Sequence, residues 1–266
     1  MDRNDNDYIG NGLDEGYTEE NNEGDIDVRR PVLFRVAALI TLLAFIGLVT
    51  ATSFQSFRNA PLAGLITESL HLKKDIDNNL MQAVVQVQVV SRKNGSSIAV
   101  EQKQGTGFNI NQRGVIVTNH HVVEGALNVV VEFPDGRIFK AVNWFSRPEY
   151  DLAVINLDNM DLPMVTLDDR NVPQPGDRIR VVGNPLSLNN IVVAGTVQGY
   201  LTVGGIENQV FTIDAPIYPG NSGSPVYDRN GRVIGVVFGT MQRSEIGKEK
   251  VYGLAIPIIE VLTLTG

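Results

Sequence analysis

The feature that most constrains this chain is a rhythm of short apolar runs that begins at residue 83. Runs rich in Val and Ile recur at 83–90, 115–118, 129–133, 138–144, 152–157, 179–182, 191–197, 210–213, 233–238 and 251–256. Turn signals stand between them: Asn94-Gly95, Arg113-Gly114, Pro134-Asp135-Gly136, Pro175-Gly176-Asp177 and Asn230-Gly231. β-branched runs of this length, punctuated by Gly, Pro, Asn and Asp, read as strands joined by tight turns. Helical periodicity between them is too sparse for a parallel sheet, so the pattern predicts an all-β sandwich or barrel. The stretch 81–256 is long enough for two small barrels, and the apolar tail 257–264 reads as a closing helix.

Upstream the texture is different. Residues 1–30 carry ten acids against Arg3, Arg29 and Arg30, which is −7 of the formal net charge of −8. So acidic a segment, poor in apolar residues, cannot bury enough surface to offset its ordering entropy and reads as a disordered tail. The rest of the chain is close to neutral, which gives no reason to expect a nucleic-acid partner.

From Val36 to Phe57 there is no charged residue. As a helix this run would be about 33 Å long, enough to cross a hydrocarbon core of about 30 Å. The expected organisation is therefore a cytoplasmic tail over 1–30, a single transmembrane anchor over 31–57, a linker and short helix over 58–80, and a catalytic domain over 81–266. Arg29, Arg30 and Arg35 precede the apolar run and Arg58 follows it, which predicts an amino terminus inside and the domain outside. A signal peptide cleaved near Val49-Thr50-Ala51 is the competing reading; the long acidic leader fits an uncleaved anchor better.

The chain has no cysteine and three histidines, His71, His120 and His121. Disulfides, thiol catalysis and cysteine-ligated zinc are thereby excluded, and no histidine spacing suits a metal, so neither metal nor cofactor is expected. Three segments carry chemistry. His120-His121 follows a strand in Thr118-Asn119-His120-His121-Val122-Val123, Asp151 opens the strand Leu152-Ala153-Val154, and Ser222 sits in Gly220-Asn221-Ser222-Gly223. Each alone is weak, since an Asp before a strand is commonly a cap and a Gly-x-Ser-Gly segment commonly a turn. Together they set His, Asp and Ser in one order on a β-rich chain, with no histidine after Ser222, as an α/β-hydrolase would need. That order assigns His121 as base, Asp151 as orienting acid and Ser222 as nucleophile. His120 points the other way from its neighbour and is read as non-catalytic.

With those residues in place, the chain from about 81 to 256 resembles the HtrA (Deg) family of trypsin-like serine proteases. The resemblance rests on Gly105-Thr106-Gly107-Phe108, the His121 and Asp151 segments, Val182-Gly183-Asn184-Pro185-Leu186, Thr212-Ile213-Asp214-Ala215 and Gly220-Asn221-Ser222-Gly223. It implies two six-stranded antiparallel barrels, the trypsin-like serine protease fold, behind the single transmembrane helix. It also implies an oxyanion hole built at Gly220, Asn221 and Ser222 from the N–H groups of Gly220 and Ser222. Ile217, within the stretch before the serine, is implied as part of the primary specificity pocket, and Phe238-Gly239-Thr240 as the edge that pairs with substrate.

The resemblance implies endopeptidase activity on misfolded or exposed protein segments, with protein or peptide substrates as partners. A membrane contact through residues 36–57 and a homotrimer formed near Phe54 and Phe57 complete the expectation. The alternative is a catalytically latent scaffold that binds extended peptides. Three departures qualify the match: Ser224 replaces a second glycine after the nucleophile, His120 stands where Asn is common, and Gly266 leaves no room for a PDZ domain. The Gly-Asn-Ser-Gly-Ser-Pro form also resembles the staphylococcal glutamyl endopeptidases. No acid lies just before Ser222 to receive Lys or Arg, so cleavage after small or medium aliphatic residues is expected.

Overall fold

The computed structural model describes residues 61–92, 99–245 and 248–265. All of them belong to one unit, residues 57–266. The acidic segment and the apolar run proposed as an anchor lie outside the described residues, within which no helix is long and apolar enough to cross a membrane.

Two helices lead in, α1 (Pro61–Lys73) and α2 (Asn78–Gln82). Leu65 and Ser69 of α1 are buried, and the Ser69 hydroxyl accepts the Val192 N–H at 2.9 Å, which ties the helix to the second sheet. The first sheet contains β1 (Val84–Arg92), β2 (Val100–Asn109), β3 (Val115–Thr118), β4 (Ala126–Glu132), β5 (Ile138–Lys140), β6 (Asn143–Arg147) and β7 (Leu152–Asn156). Its spatial order is β5-β4-β1-β2-β3-β7-β6. The second holds β8 (Thr166–Leu167), β9 (Arg178–Gly183), β10 (Ile191–Leu201), β11 (Val210–Ile213), β12 (Pro225–Tyr227), β13 (Arg232–Glu245) and β14 (Lys248–Pro257). Here the order is β12-β9-β10-β11-β14-β13-β8, and β12 also pairs with β13. That extra pairing closes six strands into a barrel, with β8 added in parallel at its margin.

The first sheet corrects the expectation of two six-stranded barrels. Its hydrogen-bonded ladder stays open as a half-barrel of seven strands, with β5 and β6 at opposite edges. The cause is local to the run 138–144, which sequence reads as one strand. The Ala141 N–H bonds Val129 on β4 while the next N–H, of Val142, bonds Asn156 on β7. Ala141 and Val142, where the bonding passes from β4 to β7, belong to neither β5 nor β6, so the run is split in two.

Side-chain alternation explains why the central runs are apolar without interruption. On β1, Val85, Val87 and Val89 enter the first core, whereas Val84 faces a second cluster between the sheets. β3 and β7 do the same: Ile116, Ala153 and Ile155 point into the first core, Val117 and Leu152 into the seam. From the second sheet Val182, Val210, Tyr227, Val236 and Leu254 fill the seam, while Val181, Phe211, Ile213 and Val226 fill their own core. Strands buried on both faces need no polar side. Burying each such side chain contributes about 1.5–3 kcal/mol, so the seam is a firm layer. A closing helix, α4 (Ile259–Thr265), buries Val261 against it.

Candidate active site

The three candidate residues all lie at strand ends. His121 follows β3 on α3, the single turn His120–Val123. Asp151 ends the 3-10 turn Pro148–Tyr150 just before β7, with φ 46°, a left-handed conformation that Asp tolerates better than bulkier residues. Ser222 lies in the loop between β11 and β12.

Asp151 and His121 are joined closely. One carboxylate oxygen, Oδ1, accepts the backbone N–H of His121 at 3.0 Å, and the other, Oδ2, lies 2.8 Å from ring Nδ1. The Asp151 carbonyl accepts twice more, from the His120 N–H at 3.1 Å and from the Asn119 side-chain amide at 3.0 Å. Asp151 is buried, while the His121 side chain is 44% exposed. A carboxylate can only accept, so Nδ1 carries the proton and the outer nitrogen Nε2 keeps its lone pair. His120 is held elsewhere, its Nδ1 2.8 Å from the Ser146 hydroxyl on β6.

The serine loop is fixed through its backbone. Asn221 N–H bonds Tyr218 at 3.0 Å, closing a turn with Pro219 second and Gly220 third at φ 98°. Pro followed by a residue of positive φ is the type II pattern. Gly223, at φ 86°, donates to Val237 on β13, and a β-carbon there would collide with the Thr106 carbonyl. Among the described residues, the N–H groups of Gly220 and Ser222 have no acceptor, whereas those of Asn221, Gly223 and Ser224 do. Two unpaired donors spaced two residues apart in one loop can hold a developing oxyanion.

Thr106 on β2 joins the two halves. Its N–H donates to the Ser222 carbonyl at 2.8 Å, and its hydroxyl donates to the Gly220 carbonyl at 2.7 Å. Its own carbonyl accepts the Thr118 hydroxyl at 2.7 Å, at the end of the strand that leads to His121. Next to it, a β-carbon on Gly105 would lie 2.9 Å from Val122 and 3.2 Å from the Ser222 carbonyl. Histidine turn and serine loop therefore approach each other over a strand thinned by glycine. Among the described residues no hydrogen bond joins His121 to Ser222, and such bonds are commonly loose before substrate binds.

Gly253 lies between two of the implied specificity residues. A β-carbon on Gly253 of β14 would lie 2.6 Å from Ile217, and Gly253 pairs with Thr240 of β13. The ladder shifts register between Val237 and Gly239, leaving Phe238 as the bulged residue. Among the described residues, β13 beyond Val237 bonds only β14, so its other side is an open edge along Phe238, Gly239 and Thr240. Sequence reasoning gave Gly253 no role and saw Thr106 as a motif match only. The one usable signal for Thr106 was its position between two glycines.

Comparison with known proteins agrees with this architecture. Residues 105–236 match the trypsin-like peptidase domain, and the described unit is a domain of that class. A "Probable periplasmic serine endoprotease DegP-like" of Chlamydia trachomatis is 39% identical over 137 residues, 50% of this chain and 27% of its own. Serine endoprotease DegS of Escherichia coli is 33% identical over 159 residues, 58% of this chain and 44% of its own. The solved structure of HtrA-type protease AlgW with tripeptide aligns with TM-score 0.61 at 29% identity, covering 70% of this chain and 61% of that one. In sequence and in fold the described unit is similar to the HtrA/Deg-type serine proteases. The chain spans less than half the length of either curated relative.

Proposed function

We propose that this protein is a membrane-anchored serine endopeptidase that cuts misfolded or exposed protein segments. The observation that carries the reading is the pair of hydrogen bonds from His121, backbone and ring, to Asp151, beside a serine loop with two N–H donors unpaired among the described residues. Ser222 attacks the scissile carbonyl as His121 Nε2 takes its proton; the tetrahedral oxyanion forms against the N–H groups of Gly220 and Ser222. Collapse expels the amine, which receives the proton from His121, and water then repeats the sequence on the acyl-enzyme. Asp151 holds the ring's orientation and stabilises the imidazolium without taking the proton.

Substrate lies as an added strand along Phe238, Gly239 and Thr240. Ile217, packed against Gly253, narrows the pocket toward small or medium aliphatic side chains. On this reading the run 36–57 is a single-pass anchor in a bacterial cell membrane, with the amino terminus in the cytoplasm and the peptidase domain outside. A homotrimer formed near Phe54 and Phe57 belongs to the same reading, on family resemblance. The latent-scaffold alternative draws on the missing His121–Ser222 hydrogen bond.

The test is labelling of the full chain in detergent with a fluorophosphonate, followed by peptide mapping. The peptidase reading expects label on Ser222 alone, lost in Ser222→Ala and His121→Ala. A folded parent chain that takes no label favours the latent scaffold. Release of the protein from membranes by alkaline carbonate would remove the anchor from the reading.

A further inference from the structure

Gly220 is flanked by two peptide planes, and both are held from outside the loop. In the Pro219–Gly220 peptide, the carbonyl of Pro219 accepts the Leu186 N–H at 2.9 Å. In the Gly220–Asn221 peptide, the carbonyl of Gly220 accepts the Thr106 hydroxyl at 2.7 Å. A trans peptide is planar, with C=O and N–H on opposite sides. Anchoring the Pro219 oxygen toward Leu186 therefore turns the Gly220 N–H the other way, out of the loop and without an acceptor among the described residues.

The element that supplies the Leu186 N–H is itself built at a conformational cost. Leu186, Ser187 and Asn190 have φ of 54°, 64° and 54°, a region that a β-carbon disfavours. Such strain persists only where surroundings over-determine it, and here they do. The Leu188 N–H closes on Pro185 at 2.8 Å, the Asn190 N–H on the Asn184 side-chain oxygen at 2.9 Å, and the Asn190 side-chain amide on Met81 at 3.1 Å. Thr106 belongs to the same assembly, because its hydroxyl accepts the Asn184 N–H at 2.9 Å while donating to Gly220. The fit is close: a β-carbon on Gly220 would sit 2.7 Å from the Asn184 carbonyl and 3.2 Å from the Leu186 nitrogen.

We infer that the Thr106 hydroxyl and the Leu186 N–H are positioning groups that hold the Gly220 N–H in its oxyanion-binding direction. Rotating the Pro219–Gly220 peptide by half a turn would break the Leu186 bond and put a carbonyl oxygen where the oxyanion forms. The clamp thus separates a competent loop from a collapsed one while His121 and Asp151 stay in place. This inference rests on the peptidase reading above.

The experiment compares Thr106→Val with Thr106→Ser in the full chain. Valine keeps the shape and loses the hydroxyl; serine keeps the hydroxyl. A misdirected oxyanion donor can cost about a hundredfold, so Thr106→Val is expected to lower kcat by about that factor, with KM little changed and serine restoring most of the rate. Leu186→Pro removes the other anchor and, because proline cannot hold φ 54°, also undoes the turn that presents it, so it is expected to lose at least as much rate as Thr106→Val; Leu186→Gly keeps the N–H and suits that φ. NMR relaxation dispersion on 15N-glycine reads the same state without turnover: Gly220 is expected static in the parent and exchanging in Thr106→Val and Leu186→Pro. A parent chain without turnover whose Gly220 begins to exchange in these variants would remove the peptidase reading and keep the clamp. Unchanged kcat and a static Gly220 in both loss variants would remove the clamp and leave the peptidase reading standing, as would equal losses in serine and valine.

Discussion

Asp151 grips His121 at two points, its backbone N–H through Oδ1 at 3.0 Å and its ring Nδ1 through Oδ2 at 2.8 Å. The first bond leaves the second oxygen no choice of partner. In Asp151→Asn the amide oxygen keeps the backbone N–H, so the amide NH2 faces Nδ1. The ring must then accept at Nδ1 and carry its proton on Nε2, which is the wrong tautomer for a base. We expect kcat to fall about 10⁴-fold with little loss of stability, measured by steady-state cleavage alongside thermal melting. A fall below tenfold would show that Asp151 does not set the tautomer.

The two adjacent histidines should separate cleanly. The His120 ring bonds Ser146, and the tie of His120 to Asp151 is made by its backbone N–H, which an alanine keeps. His120→Ala is expected to keep activity within about threefold and cost about 1 kcal/mol of stability, whereas His121→Ala loses about 10⁴-fold or more. Similar losses in both would mean that the ring assignment is wrong.

Two glycines test the packing of the serine loop. Gly223 has φ 86°, and a β-carbon there meets the Thr106 carbonyl, whereas one at Gly199 meets nothing within 4 Å. Gly223→Ala is expected to cost more than about 2 kcal/mol, lowering Tm by roughly 4–8 °C. Gly199→Ala should be neutral to mildly stabilising. Differential scanning calorimetry of the pair checks both.

Acid stability should depend on a residue far from the chemistry. The Asn171 amide foremost, then the backbone N–H groups of Arg170 and Asn171 and the Arg232 charge, hold the buried Asp168 carboxyl below its usual range against the opposing effect of burial. A depressed carboxyl binds its proton more readily in the unfolded chain. Its stabilisation is therefore complete above the unfolded value, about pH 4, and drains away as pH falls through the folded one. Asp168→Asn should cost about 1–2 kcal/mol at pH 7 and flatten the loss of stability below pH 4. Parallel stability curves for parent and variant would refute this.

What could be read in the sequence followed from how local each signal is. β3 and β11 coincide with their apolar runs because strands buried on both faces advertise themselves. β2 escaped notice: its first half, Val100–Gln104, is polar and partly exposed, and its second half opens with two glycines. The break at Ala141–Val142 was invisible because it depends on which neighbour each N–H finds, not on residue type. Likewise the order of His121, Asp151 and Ser222 was legible in chain order. The Thr106 and Leu186 contacts were not, since they join residues 114 and 33 positions apart along the chain to one loop.

The open side of β13 beyond Val237 has a consequence for what this molecule can handle. Backbone groups on a strand edge recognise only another backbone, and only one drawn out straight. A segment already wound into a helix, or already paired in a sheet, has spent the N–H and C=O groups that this edge would engage. On the proposed activity, selection then acts on conformation before it acts on side chains. The state of the client, loosened or intact, becomes the first thing the protease reads.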